Sequence, residues 1–279
     1  MDTTRLQNHF SFGENWQSFV EEVEEKHIQQ AVKSLSKLFP NDDLRGKTFL
    51  DIGCGSGMSM LAAVILGASE VNGFDIDPNS VKATQTLFEK YAPEGTIWTV
   101  REISVLDKES LPSEKYDVVH SWGVLHHTGD MWRAITNAST LVKEEGLFLV
   151  ALYRKTPLCS LWKIEKAIYA HSPGFVQKLI SLPYVCLYYL RILIGGQRPK
   201  DFIETYNNVR GMDFHHDIHD WLGGFPYQSV EPSEVVKNIE KLGFQSKYVY
   251  DNCKGTKGFF GTGCDEYLFV RDAKINVAK

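Results

Sequence analysis

Residues 49–57 read FLDIGCGSG, an apolar run followed by three glycines that alternate with other residues. The run from Lys47 to Ile52 predicts a short strand, and residues 58–66 predict a helix that Gly67 can end in a left-handed conformation. Glycines between a strand and a helix let the backbone turn sharply and let a ligand approach the main chain closely. These residues, 53–57, are called the glycine turn, and they are the first candidate for a ligand-binding site in the chain.

An acidic residue on the next predicted strand, Glu70–Ile76, supports a ligand that contains a ribose. Asp75 lies 22 residues after Gly53 near the end of this strand, where a carboxylate can accept hydrogen bonds from both ribose hydroxyls. The alternative is that Asp75 is a turn residue at the end of a strand. Asp77 precedes Pro78, so we expect it to cap the following helix.

The spacing of the glycines disfavours a pyrophosphate ligand. A nicotinamide site usually has the pattern G-x-G-x-x-G, whereas the third glycine here comes one residue earlier. Asp51 stands two residues before Gly53, and an acid near the turn would repel a pyrophosphate but could hold a cationic amino-acid group.

Strand and helix patterns continue to alternate after the turn. The further predicted elements are strands at 96–106, 116–121, 146–153, 245–250 and 266–270 and helices at 130–142 and 233–242. Such alternation is typical of a doubly wound parallel sheet, which binds its ligand where the strand order reverses. Residues 155–230 lack strand alternation and interrupt the pattern as an insertion.

The composition limits the classes of function. The 279 residues are 43% hydrophobic and 23% charged, with a net charge of −5 and a pI near 6.0. These values favour a well-packed core over disorder and argue against a surface that follows nucleic-acid phosphates. The five cysteines form no C-x-x-C pair, so we expect free thiols, with a Cys253–Cys264 disulfide as the alternative. The first residues lack a signal-peptide pattern, and we expect a cytoplasmic protein.

Residues 173–196 form an apolar segment that could contact a membrane. Lys178, Pro183 and Arg191 interrupt it, and its longest uncharged stretch, 179–190, has 12 residues. A spanning helix needs about 20. We therefore expect a buried helix or one that lies on a lipid surface.

Taken in order, these motifs resemble those of the class I S-adenosylmethionine-dependent methyltransferases. The resemblance covers residues 45–153 well and the last helix and hairpin more weakly. The four segments that carry it are Asp51–Gly57 (DIGCGSG), Gly73–Asp77 (GFDID), Tyr116–His127 (YDVVHSWGVLHH) and Gly146–Leu149 (GLFL). The resemblance implies S-adenosylmethionine as the cofactor.

The expected fold is α/β: a doubly wound, Rossmann-like, mostly parallel sheet of seven strands, the last one antiparallel, with a helical cap inserted after the fifth strand. The expected divisions are an N-terminal helical lid (1–44), a cofactor-binding core (45–154), an inserted helical substrate cap (155–230) and a C-terminal helix and β-hairpin that complete the sheet (231–279). Phe10, Phe12 and Trp16 could cover the cofactor or simply anchor the N-terminal helix.

The resemblance also implies a set of cofactor-binding residues. They are Asp51, Gly53, Cys54, Gly55 and Gly57 at the methionine end, Asp75 at the ribose, Ile76 at the adenine, and Ser121 and Trp122 near the sulfonium. A further adenine-contacting position follows the third strand, where the alignment is ambiguous and Ser104, Val105 and Asp107 are the candidates.

The implied reaction is in-line displacement of a methyl group from the sulfonium, for which the protein mainly supplies alignment. A hydroxyl acceptor also needs a base, and histidine suits this role near neutral pH. His126 and His127 follow the fourth strand, and we expect them at the rim of the cleft. The alternative is a structural role in the loop.

A second candidate for the base lies in the insertion, where residues 212–221 read MDFHHDIHDW. His215 or His216, oriented by Asp213 or Asp217, could act as the base or contact the substrate. The open alternatives are a divalent-metal site, because both side-chain types are metal ligands, and a solvated polar turn. We expect no metal.

The predicted function is methyl transfer from S-adenosylmethionine to a small-molecule acceptor, and we expect an oxygen atom to be methylated. Within the class, the alternative is N- or C-methylation of a small molecule or a lipid-linked substrate. Outside it, the alternatives are a non-catalytic protein that binds the cofactor or a partner, and a nicotinamide-dependent oxidoreductase. We do not expect nucleic acid as a partner, because no Asp/Asn/Ser-Pro-Pro-Tyr/Phe motif follows the fourth strand, and we expect no transmembrane segment. Peripheral membrane contact, and the choice between a monomer and a homodimer, stay open.

Overall fold

A computed structural model describes residues 12–39, 44–210, 214–251 and 263–273. The strands in these residues are β1 (Thr48–Ile52), β2 (Glu70–Asp75), β3 (Trp98–Glu102), β4 (Tyr116–Trp122), β5 (Val142–Tyr153), β6 (Phe244–Tyr250) and β7 (Cys264–Arg271). The helices are α1 (Phe12–Glu21), α2 (Glu25–Leu38), α3 (Met58–Ile65), α4 (Pro78–Tyr91), α5 (Met131–Ser139), α6 (Cys159–Ala170), α7 (Gly174–Ile194), α8 (Pro199–Arg210), α9 (Phe214–Gly223) and α10 (Pro232–Glu240). Phe10, Asp213 and Cys253, which the sequence predictions single out, lie outside the described residues.

The strands form one sheet in the order β3-β2-β1-β4-β5-β7-β6. The first five strands pair in parallel, and β7 pairs antiparallel with both β5 and β6. The strand order reverses between β1 and β4, so the carboxyl ends of these strands border the crevice in which such sheets bind ligands. The predicted α/β sheet, mostly parallel with an antiparallel last strand, is confirmed.

Helices cover both faces of the sheet, which explains the apolar character of its central strands. β1 and β4 are buried along almost their whole length, as is usual for parallel strands between two helical layers. Phe49 and Val118 on one face belong to a cluster with residues of α1 to α4. Leu50 and Phe148 on the other face pack with residues of α5 and α10.

Two strands differ in length from the sequence prediction. β3 is the edge strand of the described sheet, and it ends at Glu102, which lies opposite Asp75, the last residue of β2. It is therefore shorter than predicted, because β2 offers no partner beyond that point. β5 begins at Val142, earlier than the predicted start at Gly146, because Val142 pairs with Tyr116 at the beginning of β4.

Residues 155–230, which we call the cap, contain the helices α6 to α9 between β5 and α10. The core of the cap is largely aromatic: Tyr169 is buried, and the rings of Trp162 and Tyr184 meet that of Trp221 at 5.4 and 5.5 Å. No helix in the described part of the chain is long and apolar enough to cross a membrane. The division into domains, and the role of the cap in holding a substrate, stay predictions.

A single carboxylate holds the beginnings of α1 and α4. Asp77 caps α4, as predicted, because its Oδ1 accepts a hydrogen bond from the Asn79 amide at 2.9 Å. Its Oδ2 accepts a second hydrogen bond from the amide of Gly13 in α1, also at 2.9 Å. A side chain at Gly13 would collide with Asp77 and Asn79, so α1 can approach this closely only with glycine there.

We expect Asp77→Ala to lower the free energy of unfolding by about 1–2 kcal/mol, because it removes the cap of α4 and the hydrogen bond to α1. Urea unfolding of the full chain measures the change. Glu89→Ala, which removes an exposed carboxylate from the same helix, is the control and should change stability by less than about 0.5 kcal/mol. Equal losses in the two variants would contradict the capping role.

Candidate active site

The glycine turn joins β1 to α3 where the strand order reverses. Gly53 and Gly55 have φ angles of 75° and 55°, in the left-handed region that favours glycine. A side chain at Gly53 would also cause a steric clash, because its Cβ atom would lie 2.4 Å from the Val124 side chain. A Cβ atom at Gly55 would lie 3.0 Å from the indole nitrogen of Trp16. The turn is therefore packed against both α1 and the loop after β4.

Asp75, at the end of β2, fixes the position of the turn. Its Oδ2 accepts a hydrogen bond from the Gly55 amide at 3.0 Å, and its Oδ1 accepts one from the Asp77 amide at 2.9 Å. Burial raises the pKa of Asp75 to about 6, although the two amide donors oppose the rise. Each carboxylate oxygen has a second lone pair that a ribose hydroxyl can use. The glycines and Asp75 thus fit a cofactor that carries a ribose.

Beneath the turn, Asp51 is paired with a histidine that the sequence analysis does not single out. Asp51 on β1 lies directly opposite His120 on β4, and Asp51 Oδ1 is 2.7 Å from His120 Nδ1. Both side chains are buried, and the His120 ring stacks on Phe49 at 5.6 Å. A histidine inside the apolar run 116–121 is the signal in the sequence, but only the register of the two strands shows which carboxylate it meets. The expected contact of Asp51 with the methionine end stays a prediction.

The two residues predicted near the sulfonium lie at the end of β4. Ser121 is buried, and its hydroxyl donates to the Ile52 carbonyl at 2.9 Å, so it ties β4 to β1. Trp122 is 41% exposed, and its indole nitrogen donates to Glu266 on β7 at 2.8 Å. Of this pair, Trp122 is the one whose side chain is accessible.

The candidates for the adenine position differ in exposure. Ser104 is partly buried and its hydroxyl accepts a hydrogen bond from the Leu106 amide at 3.3 Å, while Val105 is buried. Asp107 is exposed, and its Oδ2 accepts a hydrogen bond from Ser110 at 2.6 Å, which lowers the pKa of Asp107. Ile76, directly after Asp75, is partly buried.

The two histidines after β4 occupy different surroundings. The expected position of His126 at the rim of the cleft is wrong, because its side chain is completely buried against Tyr153, with ring centroids 4.1 Å apart. Burial, with smaller effects from His127 and Lys166, lowers the pKa of His126 well below its usual range. His127 is partly buried, and its Nδ1 lies 2.7 Å from the carbonyl oxygen of Pro226. The catalytic role of His126 stays a prediction.

α9 carries most of the histidine- and aspartate-rich segment. Asp213 and the side chains of His215 and His216 lie outside what the structure describes, so their predicted roles stay predictions. Asp217 accepts a hydrogen bond from the Tyr206 hydroxyl on α8. Among the described residues, no group of three or more His, Cys, Asp or Glu side chains is placed to hold a metal ion.

Two further polar residues of α9 connect the cap to its surroundings. The side-chain amide of Asn15 on α1 donates to Asp220 Oδ1 at 2.7 Å. Burial raises the pKa of Asp220 well above its usual range, although this hydrogen bond opposes the rise. His219 Nδ1 lies 2.7 Å from the Tyr169 hydroxyl oxygen on α6. α9 therefore bridges α1 and α6.

The cap also contains a buried ionisable pair that the sequence pattern does not reveal. Lys166 is fully buried on α6. Its Nζ donates a hydrogen bond to the Trp221 carbonyl oxygen and lies 4.1 Å from the centre of the Trp221 ring. In the described part of the chain, the buried carboxylate oxygens of the neighbouring Glu165 have no hydrogen-bond partner. Burial lowers the pKa of Lys166 and raises that of Glu165. A lysine among apolar residues in a helix usually points to solvent, so the sequence pattern alone does not indicate that Lys166 is buried.

Comparison with known families agrees with this geometry. A family model described as a methyltransferase domain matches residues 22–183, which is more than half of the chain and includes the glycine turn and Asp75. The chain belongs to this methyltransferase family. The predicted resemblance to S-adenosylmethionine-dependent methyltransferases, the enzyme class and the cofactor are thereby confirmed at the level of the family.

Curated relatives of the methyltransferase match over shorter segments. The tRNA U34 carboxymethyltransferase of Ectopseudomonas mendocina is 39% identical over 94 residues, which cover 33% of this chain and 27% of that protein. The ribosomal protein L11 methyltransferase of Tolumonas auensis is 54% identical over 43 residues, 15% of each chain. The chain thus spans about a quarter or less of the length of these relatives.

Solved structures share the fold at low sequence identity. Magnesium protoporphyrin IX methyltransferase from Synechocystis PCC 6803 with bound SAH has a TM-score of 0.53 at 19% identity, over 88% of this chain and 84% of that chain. An S-adenosylmethionine-dependent methyltransferase from Mesorhizobium loti has a TM-score of 0.52 at 17% identity, over 86% of this chain and 96% of that chain. The (4+2) cyclase SpnF has a TM-score of 0.55 at 11% identity, over 87% and 80%. The last example shows that this fold is not confined to proteins named as methyltransferases.

We expect Asp75→Asn to weaken S-adenosylmethionine binding about ten- to hundredfold, because the amide keeps one acceptor oxygen and loses the charge. In the unmodified protein, affinity should fall as the pH falls from about 7 to about 5, because protonation of a carboxyl group with a pKa of about 6 removes an acceptor of the ribose hydroxyls. Calorimetric titration across this pH range measures both effects.

Asp107→Asn is the control for this experiment, because Asp107 is an exposed carboxylate after the neighbouring strand. It should weaken binding less than Asp75→Asn and leave the pH dependence in place. If Asp75→Asn retains the pH dependence of the unmodified protein, another group titrates and the assignment to Asp75 is wrong.

We expect His120→Ala to lower the free energy of unfolding by about 3–5 kcal/mol, because it leaves the Asp51 carboxylate buried without its partner. His171→Ala, on the exposed end of the cap helix α6, should change stability by less than about 0.5 kcal/mol. Urea unfolding measures both variants, and a loss in His120→Ala as small as that of the control would contradict the structural importance of the pair.

Proposed function

We propose that this protein transfers a methyl group from S-adenosylmethionine to a hydroxyl group of a small organic molecule. The acceptor would bind between the cap and the carboxyl ends of β1 and β4. The single observation that carries the proposal is the glycine turn held by Asp75 at the reversal of strand order, in a chain of the methyltransferase family.

Different residues around the glycine turn would bind different parts of the cofactor. The turn would receive the methionine end, Asp75 the ribose hydroxyls, and Ile76 the adenine. Trp122 is the accessible candidate for the wall next to the reacting centre. When bound, S-adenosylmethionine supplies an electrophilic methyl group on a sulfonium. The protein then has to align the acceptor with it and take up the proton of the hydroxyl.

His127 is the group that we assign to take up this proton. Because the Pro226 carbonyl oxygen can only accept, Nδ1 carries the hydrogen in this contact, and in the neutral ring Nε2 is then the nitrogen that can accept a proton. His127 also contacts Phe12 of α1 at 5.9 Å and Tyr153 of β5 at 5.3 Å, so it lies where the N-terminal helix and the sheet meet the cap. His126, His215 and His216 with Asp213, the bases predicted from the sequence, are the alternatives.

The surroundings of His127 suit an acceptor with aromatic or other apolar parts. Tyr153 meets Tyr227 of the cap at 5.4 Å, and Tyr227 donates to the Cys159 thiol at 3.2 Å. Lys166 lies within 5.8 Å of the Tyr227 ring centre, so one buried cation adjoins this aromatic group. Apolar walls with a few fixed polar groups are typical of small-molecule sites.

Binding and transfer assays on the full chain test the proposal. Calorimetry should show binding of S-adenosylmethionine and none of NAD, and a methyl-transfer assay over acceptors with hydroxyl, amine or carbon nucleophiles should find hydroxyl acceptors preferred. Absence of S-adenosylmethionine binding would overturn the proposal. Transfer to amines or carbon instead would support the N- or C-methylation alternative, and binding without transfer to any acceptor would support a non-catalytic protein.

We expect His127→Ala to lower kcat by about 10²–10⁴-fold, because it removes the base, and to change the affinity for S-adenosylmethionine by less than about twofold. His171→Ala, an exposed histidine of the cap, is the control and should leave kcat unchanged. Steady-state kinetics with the preferred acceptor measures both. His126→Ala is assayed beside them, and a larger loss there than in His127→Ala would move the role of the base to His126.

A further inference from the structure

The cap presents an apolar surface that the methyltransferase reaction does not explain. Fifteen large apolar side chains are exposed among the described residues, and eleven of them lie on α6 and α7. These eleven are Leu161, Ile164, Ile168, Phe175, Leu179, Leu182, Leu187, Tyr188, Leu190, Leu193 and Ile194. We call the surface that they form the outer face of the cap. Contiguous apolar surface of this kind marks a site of interaction in a folded protein.

α7 shows that the outer face is additional to the core of the cap. Its inner side supplies Ile180 and Tyr184 to the cluster around Trp221. On an ordinary surface helix the opposite side would be polar. Here it carries Phe175 and Leu179, which are 75% and 68% exposed, and it continues with apolar residues at helical spacing to the end of the helix.

α6 extends the same pattern. Leu161, Ile164 and Ile168 are spaced by three and four residues, so they form one stripe along this helix, and each is more than half exposed. The two helices are adjacent in sequence and are tied together by a hydrogen bond from the Gln177 side chain to the Tyr169 carbonyl at 3.1 Å. The outer face is therefore built on two connected helices.

The charge of this region is opposite to that of the rest of the chain. Residues 155–200 contain seven Lys or Arg and one Glu, a net charge of +6, whereas the whole chain has −5, so the remaining residues carry −11. Six of the seven basic side chains are exposed, and they are Lys155, Lys163, Lys178, Arg191, Arg198 and Lys200. Within 155–200 no acidic side chain is exposed, and the first exposed acid after this segment is Asp201 on α8. Apolar residues interspersed with basic ones are typical of a surface that lies on anionic lipid.

We propose that the outer face of the cap docks on the surface of an anionic lipid bilayer, with α6 and α7 lying in the interface. In this position the exposed leucines and isoleucines enter the boundary between headgroups and acyl chains, and the basic side chains contact lipid phosphates. α7 does not cross the bilayer. A symmetric dimer through this face is a poorer occupant, because it would bring together two segments of net charge +6.

Co-sedimentation with vesicles of defined composition tests the docking. The full chain should bind vesicles that contain phosphatidylglycerol, bind pure phosphatidylcholine vesicles much more weakly, and dissociate as salt is raised. K178Q/R191Q should weaken binding to the anionic vesicles by about thirtyfold. L179Q/L190Q should weaken it by about tenfold or more on both kinds of vesicle, because it removes apolar contact.

Matched variants outside the cap provide the controls. K82Q/K237Q removes two exposed lysines, and I97Q/V249Q removes two exposed apolar side chains. All four residues lie on the surface outside the cap. Both should bind vesicles as the unmodified chain does. The proposal is overturned if the unmodified chain fails to bind anionic vesicles, or if the core variants lose as much binding as the cap variants.

Light scattering without lipid separates docking on a bilayer from self-association. The chain should have the mass of a monomer at the concentration used for sedimentation. A dimer that L179Q/L190Q dissociates, together with no vesicle binding, would assign the outer face to a second copy and overturn the proposal. These measurements are independent of methyl transfer, so failure of one proposal leaves the other to be judged on its own data.

Discussion

The partly buried carboxylate of Asp75 is the constraint on which the rest of the site depends. Its two oxygens bind the amide of Gly55 in the turn and the amide of Asp77 at the start of α4. Asp77 in turn binds Asn79 and the amide of Gly13 in α1. One side chain at the end of β2 therefore sets the turn, the next helix and, through Asp77, the N-terminal helix. Its raised pKa of about 6 reflects the burial of that carboxylate among backbone groups.

Features that depend on local sequence could be predicted, and this holds for most of the sheet. The glycine turn, an acid near the end of β2 and the helix cap at Asp77 all follow from neighbouring residues whose conformational preferences are strong. The order of alternating strands and helices also predicts the doubly wound sheet, because few topologies accommodate it. The end of β3 and the beginning of β5 do not follow from local sequence, since they depend on how far a neighbouring strand extends.

Contacts between distant parts of the chain could not be predicted. The pairing of Asp51 with His120 depends on the register of β1 against β4, and the approach of Trp16 to Gly55 depends on where α1 docks. The same is true of the burial of His126, which stands next to the partly exposed His127 in the sequence. The excess of basic residues in 155–200 is visible in the sequence, but only the structure shows that most of these basic side chains and many of the apolar ones on α6 and α7 are exposed.

The way α1 is held also bears on how a substrate could reach the site. α1 is bound to the core through Gly13 and Asp77 and to the cap through Asn15 and Asp220. Trp16, directly after Asn15, lies against Gly55 of the turn. A displacement of α9 would therefore strain the hydrogen bond to α1, the helix whose Trp16 contacts the glycine turn. A displacement of α1 would strain the same bond to the cap. The family match ends at residue 183, within α7, so α8 and α9 lie outside the matched residues. If the cap holds the acceptor as proposed, changes in α9 are expected to alter acceptor choice and the position of α1 together, while Asp75 and the glycine turn stay the same.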